Sequence, residues 1–275
     1  MRSGHKATEK KERRQRVTLN IGLGLIKQVR ELAVLAGHEV MEVYNSDFTV
    51  DTKDDASPVT EADRRAEALI TKAIRNDITD AFPIVGEEAF SEGIIPDVAG
   101  QPFWLLDPLD GTKEFVKRGK DFTVNIALIE IGIPVLGVVH VPATGDTYWG
   151  SRMGSFATTG GSAERQIFCR PQPSDGVVAI VSKSHRTPEV DEYLKQFTVS
   201  KEISAGSSLK FCRVATGNAD IYPRMGRTME WDTAAGHAVL KYAGGKVNTL
   251  ENQNLFYGKP DFENPDFVAL GADPL

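Results

Sequence analysis

Residues 103–115 read FWLLDPLDGTKEF. An aromatic and aliphatic run drives into Asp107, then Pro108, a second carboxylate at Asp110, and then Gly111 and Thr112. A short apolar run that ends in turn-forming residues fits a buried strand. Upstream, FPIVGEE (residues 82–88) reads as another strand that breaks off at glutamates. If the two strands are neighbours, Glu87, Asp107 and Asp110 converge at one sheet edge. Like charges packed together raise one another's pKa and cost stability unless a cation intervenes. Hard oxygen donors with no nearby cysteine favour Mg²⁺ over zinc. Pro108 stiffens the turn and Gly111 allows close backbone approach. The stretch is read as a rigid mount for a cation site. Surface acids at strand ends are the alternative, and a later Trp231-Asp232 pair opening a helix weighs against it.

The rest of the chain supplies the frame. Apolar residues recur at helical spacing through Ile21, Leu25, Val29, Leu32 and Ala36. The β-prone FTVD follows. Pro58 forbids an early helix start, and Thr60 with Asp63 three residues on reads as a capping signal. Behind it come Ala66, Leu69, Ile70, Ala73 and Ile74. From Phe122 to Trp149 the pattern is a β-meander with turns at Gly132 and at TGD. GGSAERQ (residues 160–166) reads as a seam between halves. After it come a strand in GVVAIVS, a helix near residues 188–196 and a helix in SSLKFCRVATG stopped by Gly217. DIYPR, a helix in WDTAAGHAVLKYAGG and the strand KVNTL complete the pattern. This predicts layered α/β (α+β) architecture in two halves.

Composition narrows the class. With 275 residues, 41% hydrophobic and 25% charged, the chain can bury a real core. No apolar run approaches the roughly 20 residues that cross a bilayer, and no secretory signal is seen, so a cytoplasmic location is expected. Cys169 and Cys212 are far apart and read as reduced core thiols. Residues 1–16 carry seven Lys/Arg against two Glu, a local +5 that leaves −11 for the remainder of a chain of net charge −6. This basic arm reads as solvated and disordered. A basic arm can also touch nucleic acid or an anionic membrane, but no aromatic residues are interleaved, so neither partner is expected.

Other motifs fail on spacing. GGKVN is not a phosphate-binding P-loop, and Pro108 sits badly in an EF-hand. The DxDGT motif of aspartyl-phosphate phosphatases comes nearer, but here the acids are three apart rather than two.

GEE, WLLDPLDGTKEF, FTVNIALI, SKSH, GSSLKFC, YPR and WDTAAGHA together resemble the lithium-sensitive, magnesium-dependent phosphomonoesterase superfamily that includes inositol monophosphatase and fructose bisphosphatase. Within it the chain is most similar to the 3′(2′),5′-bisphosphate nucleotidases of sulfur assimilation, chiefly on TKEF, SSLKFC and YPR. The resemblance runs from about Ile21 to the C-terminal region. It implies an αβαβα sandwich with a half at 19–155 carrying most metal ligands. A half at 156–275 would carry substrate contacts and the last ligand, and residues 1–18 would form the arm.

The resemblance also implies roles. Glu87, Asp107 and the Leu109 carbonyl would hold one Mg²⁺, and Asp107, Asp110 and Asp232 a second. Asp63 and Thr112 would orient and deprotonate the attacking water, although Asp63 also reads as a capping residue. Substrate would meet Glu87, Leu109, Asp110, Gly111, Thr112, His185, Ser207, Lys210, Arg224 and Asp232. Taken singly, Lys210 reads as a solvated helix lysine, Arg224 as a strand-end charge and His185 as a loop histidine. The implied substrate is a small phosphorylated nucleotide, and the implied assembly a monomer or homodimer. Inositol monophosphate and histidinol phosphate are alternative substrates. A binding module with a structural cation is the non-enzymatic alternative.

Overall fold

The computed structural model describes residues 19–52 and 58–272; the basic arm lies outside the described residues. The elements run α1 (Leu23–Tyr44), β1 (Asp51–Thr52), β2 (Pro58–Val59), α2 (Glu61–Ala73), β3 (Ile84–Gly86), α3 (Glu87–Ser91), β4 (Phe103–Asp110) and α4 (Thr112–Val116). The meander follows as β5 (Thr123–Glu130), β6 (Ile133–Val141), β7 (Asp146–Ser151), β8 (Gly154–Thr158) and β9 (Arg165–Ile167). Then come β10 (Val177–Ser182), α5 (Pro188–Leu194), β11 (Val199–Ala205), α6 (Leu209–Ala215), β12 (Ile221–Arg224) and β13 (Thr228–Met229). The last elements are α7 (Glu230–Tyr242), β14 (Lys246–Thr249), β15 (Glu263–Asn264) and β16 (Phe267–Leu270).

Seven strands form one sheet in the order β3-β4-β5-β6-β7-β8-β9, with β3 parallel to β4 and every other pair antiparallel. Five form a second, β11-β10-β12-β16-β14. Helices α1 and α2 cover the outer face of the large sheet, α6 and α7 fill the space between the sheets, and α5 backs the small one. The result is the five-layer αβαβα sandwich. Layering explains the unbroken apolar run of β4, because a strand covered on both faces needs apolar residues on both. Trp104 and Leu106 join the core under α1 and α2, and Phe103 and Leu105 join the core around α7.

Four details differ from the sequence reading. The glutamates after β3 do not merely end a strand; they open α3. The expected seam at 160–166 falls between β8 and β9, which pair through Ser155↔Ile167, so the large sheet continues past residue 155. Strand β11 went unread because its residues are mostly exposed and polar, as an edge position allows. Likewise β16, between β12 and β14, went unread. Cys169 and Cys212 are free and buried. Among the described residues no helix is long and apolar enough to cross a membrane.

Candidate active site

The two acids of β4 are placed by an irregularity. Residues three apart on a regular strand face opposite sides of the sheet. Here Asp107 pairs with Asn125 and Asp110 with Thr123, so β4 spends one residue more than β5 over the same span. That bulge restores both acids to the same cavity. Pro108, which has no N–H to give a ladder, falls within it. Gly111 then turns the chain at φ +94°, a conformation that favours glycine, and α4 begins at Thr112.

The cavity has a volume of about 920 Å³ and lies between elements of the large and small sheets. Glu87, Asp107, Leu109, Asp110, Gly111 and Thr112 line it, as do His185, Ser207, Lys210, Arg224 and Asp232. Asp63 alone of the expected residues is not in the lining. It stands behind Thr112, whose hydroxyl lies 3.3 Å from Asp63 Oδ1 and 3.1 Å from the Leu109 carbonyl oxygen. The two readings of Asp63 turn out to use different oxygens. Oδ2 accepts the Thr60 N–H and hydroxyl at 2.8 Å each, closing the capping box of α2, which leaves Oδ1 for Thr112. Burial, with Glu87 and Glu88 nearby, pushes the Asp63 carboxyl up to about 7.

The carboxylates fit a hard cation by chemistry. Desolvation in the cavity raises both Asp110 and Asp232; Lys210 pulls Asp110 back down, while Glu87 raises both and Asp110 raises Asp232, a repulsion that a divalent ion would relieve. The oxygen-only donor set suits Mg²⁺. Among the described residues, however, no three Asp, Glu, His or Cys side chains are gathered tightly enough to form a ready-made metal centre. The aspartates instead take local donors. Asp107 Oδ1 accepts the Leu109 N–H at 3.1 Å, Asp110 accepts the Ser208 N–H, and Asp232 accepts the Met229 N–H at 2.9 Å.

The basic residues come from the small-sheet side. Lys210 on α6 is 4% exposed, not solvated as a lone helix lysine would be. Burial pushes its ammonium down to about 8, while Asp110 opposes the shift. Its Nζ donates to the Ser207 carbonyl at 2.6 Å. Arg224 ends β12, and its guanidinium donates to the carbonyls of His185 at 3.3 Å and Arg227 at 3.0 Å. Arg224 Nε and Ser207 Oγ are buried without a hydrogen-bond partner, a deficit a polar ligand can fill. His185 sits exposed at the rim; partial desolvation, then the charges of Arg224, Lys113 and Lys210, depress its pKa. The two sides are tied together, since Asp121 accepts from Lys183 and from the Gly206 N–H, and Glu114 accepts the Ser184 hydroxyl at 3.0 Å.

Sequence reasoning missed Glu67. It is buried one turn after Asp63 on the core face of α2, and burial followed by Glu88 and Glu87 pushes it up to about 7, against backbone hydrogen bonds that lower it. The available signal was a charged residue inside the apolar stripe, between Ala66 and Ile70.

Comparison with known proteins follows the same lines. A model of the inositol monophosphatase family matches residues 24–269. The 3′(2′),5′-bisphosphate nucleotidase CysQ of Escherichia coli K12 is 43% identical over 246 residues, covering 88% of this chain and 98% of that protein. The Salmonella typhimurium nucleotidase of the same name is 42% identical over the same shares. The crystal structure of CysQ from Bacteroides thetaiotaomicron superposes with a TM-score of 0.75 at 35% identity, covering 90% of this chain and 97% of that one. An inositol monophosphatase from Thermotoga maritima gives 0.72 at 26% identity, covering 90% and 92%.

Proposed function

The chain belongs to the inositol monophosphatase family, and we propose that it is a cytoplasmic 3′(2′),5′-bisphosphate nucleotidase. It removes the 3′-phosphate of adenosine 3′,5′-bisphosphate to give AMP and phosphate, and takes phosphoadenylyl sulfate at the same site. The observation that carries this reading is one cavity lined both by the acids Glu87, Asp107, Asp110 and Asp232 and by the buried Lys210 and Arg224. A cation-assisted phosphatase needs the acids for the reacting phosphate. A second phosphate on the substrate gives the fixed cations their use.

Glu87, Asp107 and the Leu109 carbonyl would hold one Mg²⁺, and Asp107, Asp110 and Asp232 another. Bound there, the ions supply Lewis-acid polarisation of the phosphoryl oxygens and charge neutralisation for the leaving oxygen. Thr112 Oγ1 orients the attacking water and takes its proton as the hydroxyl's own proton passes to Asp63 Oδ1. A carboxyl held near 7 is suited to that exchange at neutral pH. The water oxygen bonds phosphorus as the bond to the 3′ oxygen breaks, so no covalent enzyme intermediate is required. Lys210, Arg224, His185 and Ser207 hold the non-reacting phosphate and the nucleoside. Gly111 and Thr112 backbone N–H groups cradle the reacting phosphate.

The test is phosphate release with Mg²⁺ over adenosine 3′,5′-bisphosphate, phosphoadenylyl sulfate, 3′-AMP, inositol monophosphate and histidinol phosphate. The bisphosphate is expected to give the highest kcat/KM. Preference for inositol monophosphate overturns the substrate assignment, and turnover of none of them favours a cation-stabilised binding module.

A further inference from the structure

Glu67 is a buried carboxylate for which the chemistry above has no use. Its oxygens accept the backbone N–H of Glu88 and of Ala89, each at 2.8 Å. These are first-turn donors of α3, which lack partners within the helix. The helix they belong to starts at Glu87. Residue 86 makes room for this contact. A Cβ there would lie 2.4 Å from the Glu67 carboxyl carbon and 2.5 and 2.6 Å from its oxygens, so any side chain would push the carboxylate off the turn. The placement is electrostatically adverse, since Glu67 is desolvated beside Glu87 and Glu88. A glutamine would avoid that cost, but it has one acceptor oxygen and would turn its NH₂ toward the other N–H. Only a carboxylate accepts from both. Two acceptors on two successive N–H groups fix the rotation of the turn as well as its position, and so the direction in which Glu87 leaves it.

We propose that Glu67 is a positioning residue that aims Glu87 into the cation-binding part of the cavity, and that Gly86 is required for it to do so. This rests on the reading of Glu87 as a ligand of a divalent cation. Helix α2 then aligns both strand ends at once. Asp63 holds the loop after β4 through Thr112, and Glu67, four residues on and on the same face, holds the helix after β3.

The experiment measures Mg²⁺ binding by calorimetry, metal-free melting temperature, and kcat and KM at saturating Mg²⁺, in wild type, Glu67→Gln and Gly86→Ala. Glu67→Gln is expected to weaken Mg²⁺ binding by roughly 10- to 100-fold, the usual cost of losing a group that orients a ligand. Its metal-free melting temperature should equal or exceed that of wild type, because a desolvated charge beside two acids is removed. Gly86→Ala should reproduce the weakened binding; if it fails to fold, Glu67→Gln alone decides. The proposal is overturned by an affinity in folded Glu67→Gln within about twofold of wild type, well short of that range. It is overturned equally if affinity and metal-free melting temperature fall together, the mark of a plain structural brace. Absence of Mg²⁺ binding in wild type removes the underlying reading of Glu87 instead, and is seen before any variant is made.

Discussion

Asp107, Asp110 and Asp232 are each held by a backbone N–H, whereas Lys210 and Arg224 are each held by backbone carbonyls. Carboxylates keep lone pairs to spare after one such bond, so the acids are fixed in place and still able to ligate. An ammonium likewise keeps N–H groups free, and Arg224 keeps an unpartnered Nε. Both sets are therefore tied to the backbone before anything binds, though the acids are not drawn into a ready-made centre, and they are tied at different levels of the fold. The acids sit at ends of β3 and β4 and at the start of α7, inside the layers. The cations depend on loops: Asp121 reaches across to restrain the one before α6, and Glu114 the one after β10, whose His185 carbonyl accepts from Arg224.

Neutralising one acid is the strongest way to break this contrast. Asp110→Asn should lower turnover by orders of magnitude on every substrate, because it disables a cation shared by all of them. A near-normal rate in a phosphate-release assay would mean that Asp110 is not a ligand. The frame under the acids can be stressed separately with pH. His140 on β6 is buried against Thr147 at 2.9 Å, and burial pushes it down to about 4. An unfolded histidine takes up a proton below about 6.5 while folded His140 stays neutral, so this residue's own contribution to stability falls by roughly 3 kcal/mol as pH drops from 6.5 toward 4. That is opposite in sign to the raised carboxyls of Asp63, Glu67, Asp110 and Asp232. Across that window thermal melts should show wild type losing stability relative to His140→Gln; a constant difference between the two assigns the pH dependence to other groups.

Removing a cation should do something narrower. Lys210→Ala is expected to cost about 1.5–3 kcal/mol, roughly 10- to 150-fold in kcat/KM, for adenosine 3′,5′-bisphosphate. Hydrolysis of 3′-AMP, which lacks the second phosphate, should change little. Equal losses on both would place Lys210 with the acids rather than with the substrate's far end. The mildest change is Thr60→Ala, which removes one cap bond to Asp63 and should cost about 1 kcal/mol of stability. Its melting temperature and kcat together show whether the capping oxygen of Asp63 is separable from the one facing Thr112; a large loss of kcat would show that it is not.

What could be read in advance follows the same division. The acids of residues 103–112 were legible because strand, turn and carboxylates are contiguous, and α1, α2 and α7 because their apolar spacing is regular. Lys210 and Arg224 were legible only by resemblance, since nothing local marks a lysine as buried. Glu67 was marked only by its charge inside the apolar stripe of α2, and its role stayed hidden because its partners lie 21 and 22 residues away and a helix glutamate normally faces water. The short strands β8 and β9 pair through registers that no single segment encodes.

The extra residue between Asp107 and Asp110 carries a consequence for how such a centre can change. Because spacing, not only side-chain identity, sets which way Asp110 faces, shortening this segment by one residue would invert it, and no substitution elsewhere could turn it back. The centre should therefore tolerate drift in the amino acids at positions 108 and 109 far better than any alteration in their number.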